Sequence, residues 1–471
     1  MTGTFDLAVI GSGPGGYRAA VLGALRGLDV VLVERDRWGG CCLNRGCVPK
    51  KAWYHSARLI ASQHTFAARG IRGSLAGDLA AAWNHQRGVV DRVRESYRAY
   101  LKHLKVETRA GHARFAGPGE IDILGAEGSD TVRARHTIIA TGAAPIVPEP
   151  FRLASARVLT TDDLFDRAPP AGARVAVIGS GVVATEFAFI LQLLGREVTW
   201  LSRSRPLARL GFSVQALTTL NERLQAQGIE PRRIRAYAKA EIGRDTVAIT
   251  TESGERFEVD WVLLGTGRQP VTADLGLERV GVGTDRRGFI ERGPTLQTAA
   301  AGVYAIGDVA GDSMTANHAL SDATVAVANI LGEDRRQDGR FVPTVVYSAV
   351  EMARLGLNED MAEDEGHEPA VGFAAFETSP RALGQDEPEG FVRLIGDLDT
   401  GALLGGEIVG GDAGELIHLL SLAPDRETAL AWLARGTWNH PARAEEILNA
   451  TETMAAKWQL QDPIFGRRHR R

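Results

Sequence analysis

The chain has 471 residues, of which 44% are hydrophobic and 24% charged, so it has the composition of a globular protein and is too long for a single core. We therefore expect two to four domains. A net charge of -4 gives no reason to expect nucleic acid or an anionic membrane as a partner. No apolar run approaches the ~20 residues of a membrane span, and no secretory pattern precedes the first motif, so we expect a cytoplasmic protein.

The first motif is FDLAVIGSGPGGYRAA at residues 5–20, where an apolar run is followed by glycines and then by a helical pattern. In this context G-x-G-x-x-G strongly indicates a dinucleotide-binding loop. Gly11 makes the tight turn, Gly13 lets the backbone approach a pyrophosphate, and Gly16 lets the helix pack on the strand. The second strand, DVVLVE, ends in Glu34, whose carboxylate can accept from ribose hydroxyls.

All the cysteines lie in GGCCLNRGCVPKK, residues 39–51. Helical positions five residues apart have Cα atoms roughly 8–9 Å apart, whereas a disulfide tolerates up to ~7 Å. A Cys42–Cys47 pair therefore requires an irregular turn, which residues 44–46 can provide. The other two pairings are less favourable, and we expect Cys41 to be a small packing residue. Because a cytosolic disulfide is usually transient and catalytic, this pair suggests a relay of electrons from a dithiol through a flavin to a nicotinamide.

A second strand–glycine–helix unit begins at residue 173. Its loop carries Gly179, Gly181 and Ala184, and its second strand ends at Ser202, with the same spacing as Gly11 to Glu34 in the first unit. This unit is predicted to bind the second dinucleotide.

The residues after that strand favour NADP(H). In place of a carboxylate the chain has Ser202, followed by Arg203, Arg205 and Arg209. A carboxylate would repel a ribose 2′-phosphate, whereas arginines would pair with it. NAD(H) is the alternative cofactor, and a merely solvated basic loop is the alternative interpretation of the arginines.

Two further apolar runs end in glycine turns. TIIATGAAP contains Gly142, and AGVYAIGDVAG at residues 301–311 contains Gly307 and Asp308. They indicate that the first nucleotide domain is interrupted by the second and then resumes.

The C-terminal stretch GTWNHPARAEEILN offers a base for thiol chemistry, which needs a thiolate. Glu445 follows His440 by five residues. A carboxylate bound to one imidazole nitrogen raises the basicity of the other. A structural histidine is the alternative for an isolated His-Pro pair.

Taken together, these motifs resemble the class I pyridine nucleotide-disulfide oxidoreductases over essentially the whole chain. Several stretches are similar to dihydrolipoamide dehydrogenases, among them GSGVVATE, DSMTANHA and GDAGELIH. Lys50 and the Ser202 region are instead similar to glutathione reductases. The chain lacks the C-terminal cysteine pair of mercuric reductases.

The resemblance implies a role for each matching residue. Cys42 would exchange with substrate and Cys47 would face the flavin. Lys51 and Glu186 would form an ion pair near the flavin, and Asp308 would bind its ribityl chain. His440, supplied by the other subunit of a homodimer, would be the acid/base, with Glu445 as its partner.

We therefore expect an α/β fold with two Rossmann-like domains, the first interrupted by the second, and a C-terminal α+β dimerisation domain. The expected boundaries are 1–148 with 272–340 for FAD, 149–271 for NAD(P) and 341–471 for the interface. A helical pair between about 50 and 105 is expected to carry the disulfide and part of the dimer contact.

The expected function is electron exchange between the lipoyl dithiol of a carrier protein, or a small dithiol/disulfide substrate, and NAD(P), with FAD as cofactor and no metal. An NADPH-dependent reductase of a glutathione-like disulfide is the enzymatic alternative, and a non-catalytic flavoprotein sensor or scaffold is the alternative of another class.

Overall fold

A computed structural model describes residues 3–126, 128–311, 313–423, 425–457, 461–462, 464 and 466–467. The chain divides into two compact units. The first unit consists of Met1–Ser56, Asp78–Gly179 and Arg235–Gly339, and the second of Ala57–Gly77, Ser180–Ile234 and Arg340–Arg471. Strands and helices both occur throughout the chain, and strand–helix–strand units begin at Thr4 and Arg174, which confirms the α/β class.

Up to the second nucleotide motif the strands and helices are, in chain order, β1 (Thr4–Ile10), α1 (Pro14–Leu25), β2 (Val30–Glu34), α2 (Gly40–Arg45), α3 (Cys47–Ala61), α4 (Leu79–His103), β3 (Glu107–Ala110), β4 (His112–Gly117), β5 (Glu120–Gly125), β6 (Gly128–Ile139), β7 (Ala143–Pro145), β8 (Val158–Thr160) and α5 (Thr161–Asp166). The middle of the chain forms β9 (Arg174–Ile178), α6 (Val182–Leu193), β10 (Glu197–Ser202), α7 (Val214–Gln225), β11 (Pro231–Arg233), β12 (Tyr237–Ile242), β13 (Val247–Thr251), β14 (Arg256–Val259), β15 (Trp261–Leu264), β16 (Arg268–Pro270), β17 (Val303–Ala305) and α8 (Ala316–Ile330). The last part forms β18 (Thr344–Tyr347), β19 (Glu351–Gly356), α9 (Glu359–Asp364), β20 (Pro369–Ala375), α10 (Pro380–Gln385), β21 (Phe391–Asp397), β22 (Leu403–Val409), α11 (Ala413–Leu416), α12 (His418–Ser421), α13 (Arg426–Arg435), α14 (Glu445–Ala455), β23 (Gln461–Asp462) and β24 (Gly466–Arg467). Short 3₁₀ helices lie at Ser62–Thr65, Leu277–Arg279, Gly307–Ala310, Gly339–Phe341 and Phe376–Thr378.

The first unit is built on a sheet of order β3-β2-β1-β6-β5-β4, with β17 paired to β6. Strand β1 is parallel to β2 and β6. Leu7 and Val9 pack with α1 and α8, whereas Ala8 and Ile10 pack on the opposite face. Both faces are buried, as expected for a parallel sheet with continuous apolar strands. The first unit also contains parallel strands β8, β15 and β9 and an antiparallel sheet of β12, β13 and β14.

The second unit contains an antiparallel sheet of order β18-β19-β22-β21-β20. Helices α13 and α14 cover this sheet and supply Leu430, Leu433 and Met454 to its core. The same unit contains the parallel pair β10–β11, in which Ser202 is the register partner of Arg233. Among the residues that the structure describes, no helix combines the length and the apolarity needed to cross a membrane.

Candidate active site

The first glycine loop joins β1 to α1 and has the geometry that was predicted. Gly11 has φ +101°, and a Cβ there would lie 2.4 Å from the carbonyl oxygen of Ala140. A Cβ on Gly16 would lie 1.8 Å from the carbonyl oxygen of Gly11, so only glycine lets α1 approach the loop this closely. A Cβ on Gly13, the N-cap of α1, would meet nothing within 4 Å. The loop therefore presents a helix N-terminus to open space, where a pyrophosphate fits.

Glu34 ends β2 beside this loop, as expected. Its Oε2 accepts from the Ser12 backbone N–H at 2.9 Å and from the Ser12 hydroxyl at 2.6 Å, and its Oε1 accepts from the Asp36 N–H at 2.9 Å. These bonds fix the carboxylate at the strand end and leave Oε1, which accepts one bond, with acceptor capacity for a ribose hydroxyl. The residues present fit the adenosine end of FAD.

The cysteine segment packs directly against the same loop. A Cβ on Gly40 would lie 2.6 Å from the Cα of Gly13, and the Gly39 N–H donates to the Ser12 hydroxyl at 3.0 Å. Helix α2 therefore begins in contact with the loop that is predicted to hold the flavin nucleotide.

Helix α2 ends at Arg45, and α3 begins at Cys47. Between them Gly46 has φ −138° and ψ −109°, values outside the helical region. This is the irregular turn that the cysteine spacing requires. Helix α3 starts at Cys47, two residues before Pro49. A proline this close to a helix N-terminus is tolerated because it removes no helical hydrogen bond.

The three cysteines are thiols in this structure, and the side chains of Cys42 and Cys47 are hydrogen-bonded to each other. That hydrogen bond, and then burial, raise the pKa of the Cys42 thiol. In the reduced pair Cys42 therefore retains its proton, and a base is needed before it can act as a nucleophile.

Cys41 lies in a different environment. The Arg268 guanidinium donates to the Cys41 sulfur at 3.4 Å, and the Cys41 thiol donates to a carboxylate oxygen of Asp162, with 4.0 Å between sulfur and oxygen. Burial raises the pKa of Cys41 to about 11, although the Arg268 charge opposes this. Cys41 is therefore a protonated, half-buried thiol, and its packing role stays a prediction.

Two tyrosines near the dithiol were not predicted from the sequence. The rings of Tyr17 and Tyr97 are stacked, with centroids 4.1 Å apart. Burial, and then the sulfurs of Cys42 and Cys47, raise the pKa of Tyr97. The Tyr97 hydroxyl therefore lies within electrostatic reach of the dithiol. Tyr17 directly follows the glycine loop, which is a signal that could have identified it.

Asp308 lies in the 3₁₀ turn after β17. It directly follows Gly307, which begins that turn with a positive φ. Burial raises the pKa of the Asp308 carboxyl, and the Arg268 charge opposes the shift. Gly142 follows β6 with φ +73° and open space where a Cβ would be. In the first unit, therefore, both lie at the carboxyl end of sheet strands, the usual ligand edge of such a sheet.

The predicted nicotinamide residues follow the expected elements. Gly179 follows β9 with φ +136°, and Gly181 is the N-cap of α6 with open space at its Cβ position. Glu186 lies in α6, is buried, and accepts from the Tyr347 N–H at 2.8 Å. Lys51 lies exposed on α3, and the ion pair expected between it and Glu186 stays a prediction.

Strand β10 ends at Ser202 as predicted, with Arg203, Arg205 and Arg209 in the following loop. This arginine loop, residues 203–212, is anchored at its middle, where the Leu207 N–H donates to the Ser180 carbonyl at 2.8 Å.

The far end of the arginine loop is anchored by the antiparallel sheet. Arg354 donates to the Leu210 carbonyl at 2.9 Å. Ser213, just after the loop, donates from its N–H and hydroxyl to Glu407 at 2.8 and 2.5 Å. Sequence reasoning missed these anchors, and it missed Arg233, which adjoins Ser202 through strand pairing alone.

The predicted base and its partner are in contact. His440 Nδ1 is 2.9 Å from Glu445 Oε1, and the Ala442 N–H donates to Glu445 Oε2 at 2.7 Å. The Ala442 and His440 hydrogen bonds hold the pKa of the Glu445 carboxyl below its usual value. An ionised Glu445 keeps the Nδ1 proton in place, so Nε2 of the exposed imidazole is left to exchange a proton.

Among the described residues, no group of three or more histidine, cysteine or acidic side chains is arranged to hold a metal ion. The chemistry that these residues offer is that of a dithiol, a nucleotide-binding loop and an imidazole paired with a carboxylate.

Comparison with known proteins gives the family. Residues 5–323 match the family described as pyridine nucleotide-disulphide oxidoreductase, and residues 342–451 match its dimerisation domain. A dihydrolipoyl dehydrogenase of Thermus scotoductus is 36% identical over 461 residues, which cover 96% of this chain and 97% of that protein. A glutathione reductase of Burkholderia cepacia is 33% identical over 455 residues, covering 94% and 98%.

A solved structure has a similar fold. The crystal structure of LpdA from Mycobacterium tuberculosis is similar with a TM-score of 0.88 and 26% identity, covering 95% of this chain and 99% of that one. The chain therefore belongs to the pyridine nucleotide-disulphide oxidoreductase family, as a flavin-dependent oxidoreductase with the family's dimerisation domain.

Proposed function

We propose that this enzyme exchanges electrons between a lipoyl dithiol and a nicotinamide cofactor through the Cys42–Cys47 pair. The observation that carries the proposal is the packing of the dithiol helix on the predicted flavin loop, where Gly40 approaches Gly13. The dihydrolipoyl dehydrogenase of Thermus scotoductus, at 36% identity, supports the choice of substrate.

The residues that would hold FAD are the loop Gly11–Gly16, Glu34, Gly142 and Asp308. FAD would supply the two-electron exchange between the dithiol and the nicotinamide. Lys51 and Glu186 would form their ion pair near it. A homodimer is consistent with the dimerisation domain, and we infer that His440 serves the dithiol of the other subunit.

The thiol chemistry follows from the cysteine pair and the imidazole. His440 Nε2 takes the proton of a substrate thiol, and the resulting thiolate attacks the Cys42 sulfur of the enzyme disulfide. The Cys42–Cys47 bond breaks, and Cys47 leaves as a thiolate. His440 releases this first proton to solvent and then takes the proton of the second substrate thiol. The second thiolate attacks the substrate sulfur of the mixed disulfide, so the substrate leaves as a disulfide and Cys42 leaves as a thiolate that takes the second proton from His440. The substrate loses two electrons and the enzyme pair gains them.

We propose NADP(H) as the nicotinamide cofactor, with NAD(H) as the alternative. Arg203 and Arg209, together with a serine rather than a carboxylate at Ser202, support a 2′-phosphate site. The same arginines favour a second candidate function, the NADPH-dependent reduction of a glutathione-like disulfide. The glutathione reductase of Burkholderia cepacia is similar over nearly the whole chain.

A substrate panel tests the proposal. Lipoamide and glutathione disulfide are each assayed with NADPH and with NADH. Turnover of lipoamide well above that of glutathione disulfide supports the proposal, and the reverse order supports the second candidate. Titration with dihydrolipoamide is expected to produce a long-wavelength absorption band, the signature of a thiolate beside the flavin. Absence of both the band and turnover would indicate a non-catalytic flavoprotein.

A further inference from the structure

The segment that carries His440 is mostly exposed. It joins α13, which ends at Arg435, to α14, which begins at Glu445, and the structure describes all of its residues. His440 itself has 73% of its side chain exposed. Between these helices Arg443 is the one buried residue, with 3% of its surface exposed. Arg443 is therefore the most deeply packed residue of the segment that carries His440.

Arg443 is held by acceptors on two other segments. Its Nε donates to the Gln385 side chain at 3.1 Å and lies 3.4 Å from Asp412. Its Nη1 donates to the Glu387 carbonyl at 3.4 Å, and its Nη2 donates to the Glu387 carboxylate. Planar guanidinium groups bind several acceptors in a fixed orientation, which a lysine ammonium does not reproduce.

The surroundings of the guanidinium leave room for an arginine and for little more. It lies over the ring of Phe376, 5.3 Å from its centroid. A Cβ on Gly411 would lie 2.7 Å from the Arg443 Cζ. The chain therefore has a glycine where any larger residue would displace the arginine.

We propose that Arg443 is the positioning residue of the His440–Glu445 pair. The backbone links them directly, because Ala442, which donates to Glu445 Oε2 at 2.7 Å, is the neighbour of Arg443. Fixing Arg443 on Glu387, Gln385 and Asp412 fixes the Ala442 N–H, and with it the carboxylate that orients His440. This inference rests on the proposed role of His440 as acid/base.

The test compares Arg443→Lys with the control Arg435→Lys, which changes an exposed arginine at the other end of the segment. Three quantities are measured in the full-length enzyme: lipoamide turnover, NAD(P)H oxidation by ferricyanide, which does not use the dithiol or its base, and the unfolding temperature. We expect Arg443→Lys to lower kcat for lipoamide about 10–100-fold, with the ferricyanide rate and the NAD(P)H KM unchanged. The control should behave as wild type.

A double-mutant cycle separates positioning from general damage. If Arg443 acts through His440, then Arg443→Lys combined with His440→Gln should be little worse than His440→Gln alone. Folded Arg443→Lys with wild-type lipoamide turnover would overturn the inference, as would fully additive losses. If Arg443→Lys does not fold, Glu387→Gln takes its place in the same measurements, with the same expected and contradicting results. This substitution keeps the shape of the Arg443 acceptor and removes its charge. If His440→Gln is itself fully active, the proposed function fails instead.

Discussion

Glu407, a buried carboxylate of the antiparallel sheet, accepts two hydrogen bonds from Ser213, one from the backbone N–H at 2.8 Å and one from the hydroxyl at 2.5 Å. Ser213 is the N-cap of α7 and follows the arginine loop directly. The C-terminal sheet therefore fixes the end of the segment on which nicotinamide selection is proposed to depend.

Replacing this carboxylate should loosen the loop. Glu407→Ala removes both acceptors, so we expect a several-fold higher KM for NADPH and a smaller ratio of NADPH to NADH efficiency. The rate at which a substrate disulfide oxidises the reduced Cys42–Cys47 pair should not change. The measurement is steady-state kinetics with both nucleotides. An NADPH KM equal to that of the wild type would show that the loop does not need this anchor.

The second prediction concerns the three sulfurs. Cys42→Ser and Cys47→Ser should each abolish lipoamide turnover while FAD stays bound, because either change prevents the disulfide from forming. Cys41→Ser is the matched control and should cost little. Turnover and the flavin absorbance of the purified variants check both statements. A Cys41 variant as inactive as the other two would refute its packing role.

The third prediction concerns the pH dependence of thiol labelling. Only a thiolate is alkylated rapidly. Because the pKa of Cys41 is raised to about 11, about one Cys41 in a thousand is ionised at pH 8. Its labelling by iodoacetamide in the reduced enzyme should be slow at neutral pH and rise about tenfold per pH unit up to about pH 11. Peptide mass spectrometry measures this. Rapid labelling of Cys41 at pH 7 would contradict the assignment.

The fourth prediction concerns the base. His440→Gln should lower lipoamide turnover by about 10²–10⁴, the usual worth of positioned acid–base catalysis. Glu445→Gln should lower it by less, since the imidazole remains. His418→Gln, at an exposed histidine of α12, is the control. The pH–rate profile is measured for each, and wild-type rates for His440→Gln across that profile would exclude it from the mechanism.

The fifth prediction concerns the nicotinamide. Ser202→Glu combined with Arg203→Ala and Arg209→Ala should shift the preference toward NAD. Two charge-assisted contacts of about 1.5–3 kcal/mol each predict at least a tenfold change in the ratio of kcat/KM values. Arg244→Ala, at a side chain that is 97% exposed, is the control. If the unmodified enzyme already prefers NAD strongly, the arginines form only a solvated loop.

The parts of the fold that follow local rules could be predicted from the sequence. The strand ends at Glu34 and Ser202 follow from glycine spacing and apolar runs, and the contact of His440 with Glu445 follows from their separation at a helix start. The irregular turn at Gly46 follows from the distance that two sulfurs can span.

The contacts between distant segments could not be predicted in the same way. Arg268 is 227 residues from Cys41, and no local pattern connects them. Likewise Arg233 adjoins Ser202 only through strand register. The acceptors of Arg443 come from two turns of the C-terminal sheet, whose placement depends on packing rather than on any motif.

The break at Gly46 also gives a way to separate active from inactive relatives. Because this glycine ends one helix and lets the next begin at Cys47, the two sulfurs belong to different helices. A homologous chain with both cysteines but a strong helix former in place of the glycine would continue a single helix and hold the Cα atoms roughly 8–9 Å apart. Such a chain would keep the cysteine signature in its sequence and yet be unable to close the disulfide, so the residue before the second cysteine is as diagnostic as the cysteines themselves.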